Sequence, residues 1–523
     1  MLLFWLSFLG LYVFWMGDCL SSGGSFSLIS YDSFPEFGFL VDESSMICFF
    51  MLICCGYIAL FYCFHYFSGD ANGGLLFPLV IWFLGVMALL MFSSSLLYSL
   101  VLWEYLGLVS FFLILFYSNS SSLRASLITL FASRFGDVSL FLLIMWLSWW
   151  SEVSSLFFVV LFLLIVMTKS ACFPFISWLL EAMRAPTPVS SLVHSSTLVA
   201  AGVWFVLRYN CYSMGCLFNS FGVFCLLTIL ITPFAAVVFM DLKNIVPLST
   251  CNNVSWCLLF FICGNTILCL IQLITHGVCK CYLFMSVGDL LSQSGSSQNA
   301  VDVYLSSHNG LFLPVVQAFL VFSLCGVPFL GVFFSKHLLF SGLLYGGGLG
   351  LVVVMICCLM MSYVYSVRFA LLLLNIGGGS SGGYSSIFTI ICPLVFAGTF
   401  MNFWWCLITA EVVSLSVLKS LSVLLIQLLG CWLGYLCYSG LEGFGHWCSL
   451  LSGCEGYVSL FYSGFLSSSN VCVVSFYRWE VYLLNGLLNF SSRGWMFNKG
   501  SMFYLNVLVL GLFIELVISY VFS

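Results

Sequence analysis

Apolar stretches about 20 residues long follow one another almost end to end along this chain, and that length is what a spanning helix needs, since roughly 30 Å of hydrocarbon is crossed at about 1.5 Å per residue. They lie near 1–16, 46–67, 76–92, 95–117, 125–148, 155–180, 188–209, 219–240, 246–264, 266–291, 312–343, 348–374, 386–406, 411–437 and 503–522, about fifteen in all. The reading is an all-α polytopic membrane protein. Of the 523 residues 63% are hydrophobic and only 6% charged, with a mean hydropathy of +1.17, which excludes a soluble globular enzyme. A net charge of -5 leaves no basic stripe for nucleic acid.

Turn chemistry separates the spans: Ser-Ser-Gly-Gly at 21–24, Gly-Asp-Ala-Asn-Gly-Gly at 69–74, Ser-Asn-Ser-Ser-Ser at 118–122 and a Gly/Ser run at 376–383. Only 438–502 departs from the pattern, mixing Gly and Ser with Glu442, Glu455, Arg478, Glu480, Arg493 and Lys499, and it is expected outside the bilayer or along its surface. The first block lacks the arginines of a transit peptide and the basic start of a signal peptide, so it reads as the first span. Thirteen bases, many within spans, give the positive-inside rule little to act on, and orientation stays open. The 25 cysteines are scattered through apolar runs, as buried free thiols are, without zinc or iron-sulfur spacing; no metal and no disulfide is expected. Abundant Phe, Gly, Cys and Trp with scarce Pro fit a T- and G-rich coding strand such as a small organelle genome has.

In so apolar a chain the ionisable residues inside spans carry the information, because each costs several kcal/mol unless paired or wetted. Glu104, Lys169, Lys280 and Lys336 stand out. A lysine at a helix end can snorkel to the surface, and Lys336 is compatible with that; Glu104, on a short stem, needs a partner such as Lys169 or a water-filled cavity. Lys169 precedes Pro174, and Lys336 follows Gly326, Pro328 and Gly331, so both sites read as broken helices. Irregular backbone at membrane depth survives only where it lines a cavity or is buried in protein, which points to a transport site. A buried lysine beside a carboxylate can gain or lose its proton as the carboxylate moves. Histidine relays protons between such groups, and His194 and His276 lie on apolar helices, where a purely structural histidine is the competing reading. Arg134 and Asp137, at i and i+3, can neutralise each other, and Glu181 with Arg184 reads as a boundary pair. Asp241 and Lys243 mark a loop; Arg368, Glu411 and Glu515 have no partner visible in the sequence.

The stretch TKSACFPFISWLLEAMRAPTPVSSLVHSSTLVAAGVWFVLRY at 168–209 closely resembles the antiporter-like membrane subunits of respiratory complex I, the mitochondrial NADH:ubiquinone oxidoreductase. LWEYLGLVSFFLILFY at 102–117, SRFGDVSLFLLIMW at 133–146, DLKNIVPLST at 241–250, THGVCKCYLFM at 275–285 and GVPFLGVFFSKHLLF at 326–340 follow in that family's order, and the resemblance is close over 42–375 and loose over 376–523. It implies two inverted five-helix antiporter-like repeats, each with a broken helix, here 76–209 and 210–375. Helices at 1–75 precede them; further helices at 376–437, the polar connection 438–502 and a last span at 503–523 follow. The resemblance further implies a proton relay in which Glu104 pairs with the pumping lysine Lys169, His194 and Lys280 form the centre, and Lys336 stands at the exit. Arg134, Asp137, His276 and His337 support it.

The expected function is therefore that of a core membrane-arm subunit. It would translocate protons across the mitochondrial inner membrane, coupled to electron transfer from NADH to ubiquinone in partner subunits. No cofactor is expected in this chain: NADH, FMN, iron-sulfur clusters and ubiquinone belong to the partners, which include neighbouring antiporter-like subunits, with lipid around them. Departures from the family pattern are His337, where an aspartate usually follows the lysine, and Gln272, where a second histidine often stands. The family's long lateral helix has VCVVSFYRWEVYLLNGLLNF at 471–490 as its best candidate remnant. A free-standing monovalent cation/proton antiporter subunit is the alternative; a haem protein is less compatible, because His65, His194, His276, His308, His337 and His446 form no facing pair in the sequence.

Overall fold

A helix in hydrocarbon satisfies its own backbone, so its polar side chains decide whether it faces lipid or the protein interior. The computed structural model describes residues 24–27, 38–68, 73–149, 156–209, 215–293, 312–328, 330–346, 349–374, 398–400, 402–404 and 417–439, with 463–464, 466–475, 478, 481–482 and 485–486 near the C-terminus. The chain divides into two compact units, Met1–Ser452 and Gly453–Ser523.

The first unit runs through α1 Glu43–Tyr66, α2 Gly73–Phe92, α3 Leu96–Ile114, α4 Ser120–Trp149, α5 Leu156–Lys169, α6 Ser177–Glu181, α7 Thr187–Leu192, α8 Leu198–Arg208, α9 Gly215–Val238, α10 Leu242–Ile262, α11 Thr266–Gln293, α12 Phe312–Cys325, α13 Phe333–Gly346, α14 Leu349–Leu374 and α15 Val417–Ser439. Ten helical segments among the described residues are long and apolar enough to cross a membrane, and α5 and α12 are shorter apolar halves. In the second unit the short apolar helix Leu466–Ser475 is described; it overlaps only the start of the suspected lateral remnant. The spans expected at 1–16 and 503–522, most of 386–406, Glu411 and Glu515 lie outside the described residues.

Two runs of five spans make the repeats: α2, α3, α4, the broken α5–α6, and α7–α8; then α9, α10, α11, the broken α12–α13, and α14. Five is odd, so the second run starts on the opposite side of the membrane and is inverted. Burial follows polarity. The spans Thr187–Arg208 and Leu242–Ile262, which hold His194, Ser249, Asn252 and Asn253, are buried along almost their whole length, whereas Leu421–Ser439 is mostly uncovered and turns Leu425, Leu428 and Trp432 outward.

Three local features depart from the sequence reading. A small antiparallel ladder pairs β1 Gly24–Ser27 with β2 Gly38–Val41 ahead of α1, where the Gly/Ser-rich chain has left the apolar stretches. Arg208, at the end of α8, ties this region to the bundle by donating to Asp42 Oδ2 at 2.5 Å, Leu40 O at 3.2 Å and Ser93 O at 3.1 Å. The span expected at 188–209 contains a π-helical turn, Val193–Thr197, between α7 and α8. Arg368 on α14 finds the partner that sequence could not name: it donates to Ala236 O at 2.8 Å and Phe239 O at 3.0 Å, the open carbonyl end of α9.

The break between α12 and α13 depends on two glycines with positive φ. Gly326 (φ 89) ends α12 in the left-handed conformation, and its carbonyl accepts from the Tyr363 hydroxyl. Gly331 (φ 49) passes so close to α12 that an added Cβ would stand 2.3 Å from Ser323 O. Gly331→Ala is therefore expected to destabilise the chain by about 2–4 kcal/mol, combining backbone strain with a steric clash. Thermal unfolding of the purified protein measures it, and an unchanged midpoint would count against this account of the break.

Candidate functional site

Each repeat brings a lysine to the carbonyl end of the first half of its broken helix. In the first, α5 stops at Lys169 itself, five residues before Pro174. In the second, Lys336 lies in the first turn of α13 but reaches back, donating to Cys325 O at 2.8 Å and approaching Leu324 O at 3.5 Å, the last carbonyls of α12. The negative end of a half-helix favours an ammonium in either place. Both side chains are buried, 1% and 4% exposed, so the snorkelling reading of Lys336 does not hold.

A tryptophan from the second span of each repeat completes the resemblance between the halves. Lys169 Nζ stands 5.2 Å from the Trp103 ring centre and Lys336 Nζ 5.4 Å from that of Trp256. A desolvated ammonium over an indole face gains about 2 kcal/mol. Neither tryptophan was singled out from the sequence, although LWEYL and VSWCL occupy matching places in the two repeats. The residue after each tryptophan differs between the halves: Glu104, whose charge acts on Lys169, in the first, and Cys257 in the second.

Glu104 does not pair directly with Lys169. Its carboxylate accepts from Arg134 Nη1 of α4, whose guanidinium also lies 3.5 Å from Asp137 Oδ2. The bond spans two helices, which a local i, i+3 reading of Arg134 and Asp137 does not reveal. Asp137 is 3% exposed and neither carboxylate oxygen makes a hydrogen bond. Of the charges acting on Lys169, that of Asp137 is the strongest, ahead of Glu104 and Arg134. Lys169 Nζ likewise makes no hydrogen bond. It lines a cavity of about 10 Å³ with His194, Trp178 and the hydroxyls of Ser110, Thr129, Ser133 and Thr168. That is room for about one water with several polar partners.

His194 lies wholly buried in the π-helical turn, a local widening that often marks functional positions. Neither ring nitrogen closes a hydrogen bond, although the Ala182 backbone is near, and Lys243 is the charge that acts on it. Lys243 begins α10 and donates to Ala185 O at 3.0 Å, while Arg184 and Glu181 meet at 3.1 Å as a boundary pair.

Beyond this, one stripe of α11 carries Gln272, His276 and Lys280 at successive i, i+4 positions. Lys280 donates to Val246 O at 3.2 Å and to the Ser249 hydroxyl. His276 is fully buried, makes no hydrogen bond through either nitrogen, and feels the charges of both Lys280 and Lys336. Gln272 Oε1 accepts from Ser335 Oγ at 2.7 Å, immediately before Lys336. His337 points elsewhere: it is half-buried, its ring 5.3 Å from that of Phe333. Among the described residues no group of three or more His, Cys, Asp and Glu side chains is arranged to hold a metal ion.

The family described as NADH:quinone oxidoreductase/Mrp antiporter, TM, matches residues 93–362, a span that holds both half-sites. NADH-ubiquinone oxidoreductase chain 5 of Locusta migratoria is 34% identical over 318 residues, covering 58% of this chain and 55% of its own length. Its counterpart in Aedes aegypti is 32% identical over 432 residues, covering 76% of this chain and 73% of its own. Among solved structures, the Mrp complex from Dietzia sp. DQ12-45-1b superposes with a TM-score of 0.68 at 19% identity, over 90% of this chain and 57% of the other. The membrane-bound sulfane sulfur reductase, an archaeal respiratory membrane complex, gives a TM-score of 0.65 at 15% identity, over 76% of this chain and 88% of the other. The fold is shared with both. With the sequence match running through the broken helices, the buried lysines and the α11 stripe, this chain belongs to the NADH-ubiquinone oxidoreductase chain 5 family.

Proposed function

We propose that the chain is a proton-translocating subunit of the membrane arm of an NADH:ubiquinone oxidoreductase, with Lys169, His194, Lys280 and Lys336 exchanging the protons and Glu104, Arg134, Asp137 and His276 setting their charge. The observation that carries this reading is Lys169: a buried ammonium without a hydrogen-bond partner, under the charge of a buried carboxylate, Asp137, that also makes no hydrogen bond. Buried charges that lack hydrogen bonds depend on their charged neighbours to stay ionised, so small movements of those neighbours change which groups hold a proton. Arg134 is placed to make that movement. While it bonds Glu104, the Asp137 charge is left to act on Lys169; a shift of Arg134 onto Asp137 withdraws that support and favours release of the lysine proton.

The chain itself supplies the relay, and the redox chemistry of NADH, FMN, iron-sulfur clusters and ubiquinone belongs to partner subunits. Its cysteines are dispersed singly and in pairs along apolar helices and do not form a cluster site among the described residues. The mitochondrial inner membrane is the proposed location, supported by the animal relatives and by an amino-acid composition that fits a T- and G-rich coding strand, which also favours encoding in the organelle.

The likeness to the Mrp complex gives a second reading, a cation/proton antiporter subunit working apart from any NADH oxidation. Gentle solubilisation of the native membrane followed by separation by size distinguishes the two. Co-migration of this chain with NADH-oxidising activity in a much larger assembly is expected. Migration apart from that activity, with sodium-dependent proton exchange in vesicles, would transfer the same residues to the antiporter.

A further inference from the structure

A relay buried between helices needs a place where protons enter or leave it, and one such place stands at the ends of α1 and α11, outside the residues assigned above. His65 lies in the last turn of α1 and Asp289 in the last turns of α11, on two helices that run side by side in the same direction. His65 Nε2 and Asp289 Oδ1 are 3.1 Å apart, with the histidine side chain 32% exposed and the aspartate 8%. The pair thus has one member at the surface and one within.

The polar side chains continue inward. The Tyr62 hydroxyl, one turn before His65 and fully buried, lies within electrostatic reach of Asp289 and faces the Thr187 side chain at the start of α7. Close packing holds that junction: a Cβ on Gly288 would stand 2.8 Å from Thr187 Cβ. From Thr187 the positions i, i+4 and i+7 run through Ser191 on α7 to His194 in the π-helical turn that follows, all buried, a rise of about 10 Å. His194 lines the cavity of Lys169.

We infer that His65 and Asp289 form a proton port connecting the aqueous edge of the bundle to His194 by way of Tyr62, Thr187 and Ser191, an inference that rests on the proton-translocating reading above. In the inward direction the imidazole takes a proton from water and gives up the one on Nε2 to Asp289 Oδ1. The carboxyl then passes its proton to the Tyr62 hydroxyl, which hands its own to Thr187, Thr187 to Ser191 and Ser191 to His194, each hydroxyl regaining one proton as it gives one up, while Asp289 returns to the charged form. A clamp that only held α1 to α11 would not need a titratable group at the surface, nor a line of hydroxyls behind it.

The test uses the assembled complex in vesicles, reading protons translocated per NADH oxidised. Asp289→Asn and Tyr62→Phe are each expected to lower that ratio to the level of Lys169→Met, with no further fall when combined with Lys169→Met, whereas Asp289→Glu retains it. Tyr62→Phe keeps the ring and removes one hydroxyl, so it decides the matter even where Asp289→Asn does not assemble. Full ratios in Tyr62→Phe and Asp289→Asn, alongside a lowered ratio in Lys169→Met, would overturn the port and leave the relay standing. A full ratio in Lys169→Met would remove the function on which the port depends.

Discussion

Replacing Lys169 by methionine is expected to abolish the proton movement that runs through this chain while the protein still folds and assembles. Folding survives because the ammonium donates no hydrogen bond whose loss would leave a partner stranded, and the methionine stem fills the same space over Trp103. Asp137, the charge that acts most strongly on Lys169, keeps the Arg134 guanidinium at 3.5 Å, so assembly should be retained. Movement is lost because no other amine lines the cavity shared with His194 and the four hydroxyls. Lys169→Arg is the sharper variant: it keeps the positive charge beside Asp137, but a guanidinium does not give up its proton near neutral pH. Both should lower the protons translocated per NADH oxidised to the same floor. An Arg variant with the wild-type ratio would show that charge alone, without proton exchange, is what this position supplies.

His276→Leu is expected to have an effect of similar size from a different place. The imidazole is fully buried on the α11 stripe, acted on by Lys280 from one side and Lys336 from the other, with neither nitrogen engaged by the protein. Leucine fills much of the ring's volume without adding a polar group, so assembly should be retained. A substitution at Lys280 would be less clean, since it takes a donor from Val246 O and the Ser249 hydroxyl at about 1–3 kcal/mol. If protons pass in series, His276→Leu should bring the ratio down to that of Lys169→Met, and the double variant should fall no lower. Additive losses would indicate two separate routes, and an undiminished ratio would make the histidine structural.

How much of this could be read from the sequence depended on distance along the chain. Both breaks were legible, because Pro174 and the Gly326, Pro328, Gly331 group are local backbone chemistry, and the lysines beside them were conspicuous in apolar surroundings. The boundary pair of Glu181 and Arg184 is local too, and it forms as expected. The partner of Glu104 was not legible: Arg134 lies 30 residues on, on another helix, and its obvious neighbour is Asp137. The contact between Gln272 and Ser335 joins residues 63 apart, and the carbonyls that receive Arg368 lie more than 120 positions before it. Widening of the helix at His194 leaves no mark in composition, because a π turn uses the same residues as the α-helix around it.

The paired tryptophans bear on direction. Two halves related by inversion, if alike in every side chain, would offer a proton the same barrier from either face, and the device would have no preferred sense of its own. The halves match in the lysine, the carbonyl end that meets it and the indole beside it, but they diverge at the next residue, Glu104 after Trp103 and Cys257 after Trp256. One half therefore presents an ion pair that has to be parted, and the other a thiol that carries no charge to part. Rectification in this molecule can be sought at that broken symmetry, in the identity of one side chain, without any difference in the path of the backbone.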